Sequence, residues 1–136
     1  MGNHAWFDAR LKPGTTIEVH WGDGTHSVLC RKQGYEFDRV EHYYKSAEGR
    51  VEPFEIEFLS KTADALEALI DGTWEMTVCR VSFDNCPSLS RLHYGHLSEV
   101  DFGGCPNLEV LEVEQLAAQR LDLSSLTRLR KLNCSC

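Results

Sequence analysis

The sequence predicts an α+β repeat fold: an N-terminal antiparallel β region, a short capping helix, and a short solenoid carrying a parallel sheet. Three observations predict it. Short alternating runs broken by turn residues fill residues 1–59, an Ala- and Leu-rich stretch with helical spacing follows from 60 to 72, and one phrase recurs three times between 78 and 136. The natural division is therefore 1–59 for the strand region and 60–136 for the helix cap plus about three repeats, with one continuous core joining them.

In the first region, Ala5-Trp6-Phe7-Asp8-Ala9, Thr16-Ile17-Glu18-Val19-His20-Trp21, His26-Ser27-Val28-Leu29-Cys30 and Pro53-Phe54-Glu55-Ile56-Glu57-Phe58-Leu59 alternate as strands with one buried face do. Pro13-Gly14, Gly22-Asp23-Gly24, Gly34 and Glu48-Gly49 punctuate them. Gly22-Asp23-Gly24 between two runs is a hairpin signal, because Asp-Gly favours turns with positive φ. Asp23 is expected to satisfy nearby backbone amides there; a calcium site would need several more oxygen ligands converging on it.

Ser60 to Gly72 reads as a helix. Ser60 or Thr62 can cap its start, Leu66, Leu69 and Ile70 share a face, and Gly72 can end it. Trp74 and Met76 would fill the junction with the first repeat.

The repeats superimpose as Val78–Tyr94, Leu97–Val113 and Arg120–Cys134, in steps of 19 residues from Leu89 to Leu108 and 21 from Leu108 to Leu129. Apolar residues recur in register at 81/100/121, 83/102/123, 89/108/129, 92/111/132 and 94/113/134. One such unit cannot bury its apolar set alone, and stacking successive units buries them as columns. Leu92-His93-Tyr94, Leu111-Glu112-Val113 and Leu132-Asn133-Cys134 are then expected to form a parallel sheet with His93, Glu112 and Asn133 pointing outward. The segments at 81–83, 100–102 and 121–123 would line the opposite wall, and Leu116-Ala117-Ala118-Gln119 would lengthen the last unit as a bulged turn.

Composition narrows the function. The chain has 136 residues, 42% hydrophobic and 26% charged, with a net charge of −7, which is globular composition and argues against a generic nucleic-acid or anionic-lipid surface. No apolar run approaches the roughly 18 residues of a membrane span, and Met1–Trp6 does not begin a signal peptide.

The phrase Leu-Ser-Glu-Val-Asp-Phe-Gly-Gly-Cys-Pro-Asn-Leu-Glu-Val-Leu at 97–111, and Leu132-Asn133-Cys134-Ser135 at the end, resemble leucine-rich repeats of the short type abundant in Bacteroidetes surface proteins. The resemblance covers roughly 60–136 and implies protein recognition. It places Cys86 and Cys105 inside the coil, where packed free thiols are the expectation. Ile17–Thr25, with Val40-Glu41-His42-Tyr43-Tyr44 and Phe54–Phe58, is similar to PKD-like β-sandwich modules over about 15–59, although here Trp21 directly precedes Gly22. Such modules imply an extracellular spacer or adhesive role.

Catalytic signatures are missing: no nucleophile elbow, phosphate loop, His-Glu-x-x-His or dinucleotide fingerprint occurs. His20 and His26 flank the Asp23 turn and His93 and His96 lie three apart, but two ligands without a third define no metal site. Cys134-Ser135-Cys136 is too isolated for zinc, and Cys30, ending an alternating run, is expected to be buried rather than a nucleophile. No catalysis, cofactor or metal is expected.

What remains is the exposed set on the repeat sheet: Arg91, His93, Val110, Glu112, Glu114, Arg130, Asn133 and Ser135. These are the expected interaction face of a non-catalytic protein-binding or adhesion module within a larger bacterial surface or secreted protein. The partner would be a protein or host-surface ligand, not nucleic acid. The chain stops just after a repeat strand without a polar cap, so truncation, or an edge contact with another chain, is expected there. The alternatives are a structural spacer, an intracellular adaptor, or a carbohydrate-binding accessory domain using Trp6, Trp21, Tyr35, Tyr43 and Tyr44.

Overall fold

In β1 (His4–Leu11), Ala5, Phe7, Ala9 and Leu11 all point one way and are fully buried, while His4, Trp6, Asp8 and Arg10 point the other way. The same period of two places Ile17 and Val19 of β2 (Thr16–His20) and Ile56 and Phe58 of β5 (Phe54–Leu59) inward. In this computed structural model, which describes residues 4–32, 34–44, 54–60, 64–72, 79–94, 99–113 and 123–134, the remaining strands are β3 (His26–Cys30), β4 (Asp38–Tyr43), β6 (Leu66–Asp71), β7 (Cys79–Asp84), β8 (Arg91–Tyr94), β9 (Glu99–Asp101), β10 (Val110–Val113) and β11 (Lys131–Cys134).

They form two mixed sheets. The first has the order β11-β10-β8-β6-β1-β4 and the second β3-β2-β5-β7-β9. From β5 to β10 the chain alternates between the sheets, so neighbouring strands in each sheet run parallel. The core lies between the sheets. Phe7 of the first meets Phe58 of the second edge to face at 5.0 Å, and Phe58 stacks on Phe83 at 5.6 Å.

This corrects the expected α+β fold with a helix-capped leucine-rich solenoid. Among the described residues the fold is all-β, and the segment read as a helix carries strand β6 instead. Residues 61–63 of that segment, and Trp74 and Met76, lie outside the described residues. The reason is a bulge. β6 pairs Ala68 with Arg10 and Leu66 with Leu11, leaving Glu67 as an extra residue. The bulge turns Leu66 and Leu69, three apart, both into the core, a spacing that otherwise belongs to a helix. Local helix propensity loses because β6 fills the slot between β1 and β8 and bonds on both edges.

The N-terminal strands do not form a sheet of their own. β1 pairs antiparallel with β4 and β6, and β6 pairs parallel with β8, so strands of both regions share one sheet. The repeated segments do align in parallel, Leu92 beside Leu111 beside Leu132. Leu92, Leu111, Tyr94 and Val113 are buried, but Leu132 on the edge strand is 47% exposed. On the other wall Val81 pairs with Val100; Leu121 and the 116–119 insertion lie outside the described residues.

Cys86 and Cys105 are free and fully buried, and burial pushes their thiols up to about 11 and about 12 respectively. Gly104 fits between them because a side chain there would strike the Phe83 carbonyl, and its own carbonyl accepts the Cys86 N–H at 3.0 Å. Cys30, expected to be buried, is exposed on the edge strand β3, where Leu29 is the inward residue. The side chains of Cys79, Cys134 and Cys136 lie outside the described residues. No helix among the described residues is long and apolar enough to cross a membrane.

Candidate binding face

The outward face of the first sheet is organised in rows by strand register. One row runs Arg10, Ala68, Arg91, Val110, Lys131 across β1, β6, β8, β10 and β11. The next runs Asp8, Ile70, His93, Glu112, Asn133 across the same strands. On β1, β8 and β10 these side chains face outward because β-alternation sends their strand neighbours to the core, as with Leu92 between Arg91 and His93.

A third row lies in the turns leading into the strands. Backbone bonds from Ser90 N–H to the Glu67 carbonyl, Glu109 N–H to Ser90 and Arg130 N–H to Glu109, of 2.9–3.0 Å, hold these residues in step. Together the rows enclose an open depression of about 650 Å³, whose walls carry Arg10, Arg91, Arg130 and Lys131 against Glu109 and Glu112, with Ser90 and Val110 between them. Arg91 pairs with Glu112 at 3.3 Å and Arg130 with Glu109 at 3.0 Å, while Arg10 lies 3.4 Å from Glu36 and 3.8 Å from Glu67. These pairs are solvent-exposed and worth at most about 1 kcal/mol each, so a ligand carboxylate can replace either acid at little cost.

Of the residues expected on this face, Arg91, Arg130 and Asn133 are exposed, and His93, Val110 and Glu112 are half-buried, all on the one surface. Glu114 and Ser135 lie outside the described residues. The expected set left out Arg10 and Glu109, and also Lys131, which the sequence marks only as part of a basic end with Arg120, Arg128 and Arg130. Alternation along β1 marks Arg10 as outward, but nothing local tells that β1 runs two strands away from β8.

A second cluster closes the hairpin turn. Asp23 Oδ1 accepts the Thr25 N–H at 3.0 Å and the Thr25 hydroxyl, and His42 Nε2 sits 2.8 Å from Asp23 Oδ2. Burial pushes the Asp23 carboxyl up, but the hydrogen bonds from Thr25 and His42 outweigh it and leave the group below its ordinary value. The His42 ring stacks on Trp21 at 5.0 Å, and the Tyr44 hydroxyl donates to the Trp21 carbonyl at 2.6 Å. Gly22, at φ +85°, brings its backbone against that of Glu55, leaving no room for a side chain.

Thr25 Oγ1 and Asp23 approach the same His42 nitrogen, at 3.3 and 2.8 Å. A nucleophile–base–acid relay needs the two ring nitrogens to serve different partners, so this arrangement clamps the turn. His20 and His26 do come together, stacked at 5.4 Å, but Asp23 goes to His42 instead. His96 lies outside the described residues. No set of three His, Cys, Asp or Glu side chains among the described residues is arranged to hold a metal ion.

The aromatic set is scattered. Trp21 and Tyr44 are buried, Trp6 is half-buried under the Arg39 guanidinium at 4.0 Å, and Tyr43 stacks on His4 at 4.1 Å with the rings nearly parallel. Tyr35 and Tyr43 are exposed. Searches of protein-family models, of curated proteins and of solved structures return no match to this chain.

Proposed function

We propose that the chain is a non-catalytic protein-recognition module that binds through the outward face of the first sheet. The observation that supports this is the 650 Å³ depression, which gathers four basic side chains from β1, β8, β11 and the turn before β11 on a chain of net charge −7. Strand register fixes their spacing, so the face is preorganised and binding loses little conformational entropy. In keeping with the resemblance of its hairpin to PKD-like modules, the chain belongs to a larger bacterial surface or secreted protein and meets a protein or host-surface ligand there.

The test is binding of the purified chain to a displayed library of random peptides, repeated with Arg91→Ala/Arg130→Ala and with Arg39→Ala, which changes the far edge of the same sheet. Loss of selected binders in the first variant alone supports the reading; equal binding by both variants refutes it. A carbohydrate reading rests on the exposed Tyr43–His4 stack. Glycan binding abolished by Tyr43→Ala and untouched by Arg91→Ala would replace the first reading with that one.

A further inference from the structure

Within the row Arg10, Ala68, Arg91, Val110, Lys131, the basic residues fall on every second strand. Strands in a sheet lie about 4.8 Å apart, so the backbone positions of successive basic residues stand roughly 9.6 Å apart along a line perpendicular to the strands, and their side chains can be drawn to that spacing. A polyproline II chain rises about 3.1 Å per residue with three residues per turn, so every third side chain returns to the same side after about 9.3 Å. We propose that this row binds an acidic peptide in polyproline II conformation, with a carboxylate at every third position meeting Arg10, Arg91 and Lys131 in turn. The inference rests on the protein-recognition reading and specifies its partner.

The intervening strands fit the rest of such a ligand. Ala68 is small and buried between its two basic neighbours, and Val110 is half-buried, so the row offers shallow apolar steps between the cations. Proline rings of the two intervening ligand residues would rest there. Lys131 has no acidic partner within ion-pair distance among the described residues, and Arg91 and Arg130 exchange exposed partners readily.

The lining disfavours other polyanions. No aromatic side chain lines the depression, whereas sugar rings and unstacked bases are gripped mainly by stacking on aromatic faces. An extended β-strand ligand, at about 3.3 Å per residue and with side chains alternating every second residue, would turn its third residue away from the row.

The experiment is fluorescence anisotropy of labelled peptides of identical length at low salt. One carries Glu-Pro-Pro repeated five times, one carries the same residues with the glutamates clustered, and one replaces Glu by Gln. The repeated peptide should bind at least about tenfold more tightly than the clustered one and lose its affinity as salt is raised. Arg91→Ala and Lys131→Ala should each weaken it about three- to tenfold, while Arg39→Ala leaves it unchanged. Equal binding of repeated and clustered peptides overturns the proposal, since charge without spacing would then suffice. Binding of a polyuronate with no binding of the peptide overturns it in favour of an acidic polysaccharide. If library peptides of other sequence bind in an Arg91-dependent way and Glu-Pro-Pro does not, this inference falls and the protein-recognition reading stands.

Discussion

The hydroxyl of Tyr44 donates to the carbonyl of Trp21 across 2.6 Å, in the interior and 23 positions away along the chain. This bond ties the segment after β4, an edge of the first sheet, to the turn that follows β2 in the second. Removing it leaves the ring in place and a buried carbonyl with less to bond. Tyr44→Phe should therefore cost about 1–2 kcal/mol, read as a lower urea midpoint with an unchanged m-value.

Gly22 and Gly24 flank Asp23 with similar backbone angles, φ +85° and +90°. They differ in surroundings: Gly22 lies against the Glu55 backbone and Gly24 faces open space. Gly24→Ala should cost about 1 kcal/mol, the penalty of the left-handed conformation alone. Gly22→Ala should cost well over 2 kcal/mol, because the hairpin turn must move off β5. Chemical denaturation of the two variants tests the difference, and equal losses would contradict the packing.

Two carboxylates set the acid limb of stability. Burial raises both, yet Thr25 and His42 hold Asp23 below its ordinary value, and Ser88 and Lys12 do the same for Asp64. A carboxyl whose folded pKa lies below its unfolded pKa stabilises the fold above the unfolded value and loses that contribution as pH falls through the folded one. Stability should thus decline from roughly pH 5 downward. Asp64→Asn should be less stable at pH 7 and show a shallower decline, measured by urea midpoints across the range.

Thiol chemistry should separate the cysteines. With their pKa values raised to about 11 and 12, Cys86 and Cys105 stay neutral and enclosed at pH 8. Iodoacetamide followed by peptide mapping should label Cys30 within minutes, and Cys86 and Cys105 only after unfolding. Rapid labelling of either buried thiol in the native protein would contradict their placement.

The bulge in β6 makes a last contrast. Leu69 is 1% exposed between the sheets, while its neighbour Ile70 is half-buried on the outward face. Leu69→Ala should cost about 2–5 kcal/mol and Ile70→Ala about 1 kcal/mol or less, by thermal or urea unfolding. A helix with Leu66, Leu69 and Ile70 on one face would make the two losses similar.

That contrast also marks what could be read from residues alone. Strict alternation in β1, β2 and β5, and the recurrence of Leu92, Leu111 and Leu132, report short-range geometry, and each of these segments is a strand. β6 misleads because a bulge mimics helical spacing, and bulges depend on the partner strand. Cys30 misleads because β3 sends Leu29 inward, and alternation then puts Cys30 on the outer face with His26 and Val28. The same limit governs the proposed binding face. Arg91, Val110 and Arg130 are legible from the repeat, whereas Arg10 enters through a strand order that no local pattern encodes.

Arg10 stands on the first strand and Lys131 on the last, 121 positions later, and the sheet sets them in one row. A ligand that touches both recognises only chains in which every intervening strand of that sheet has taken its place. Its binding energy adds to the folding free energy of the entire sheet by mass action, and a partly assembled chain offers it at most half a site. Under the proposed reading, occupancy of the row would report complete assembly as well as recognition.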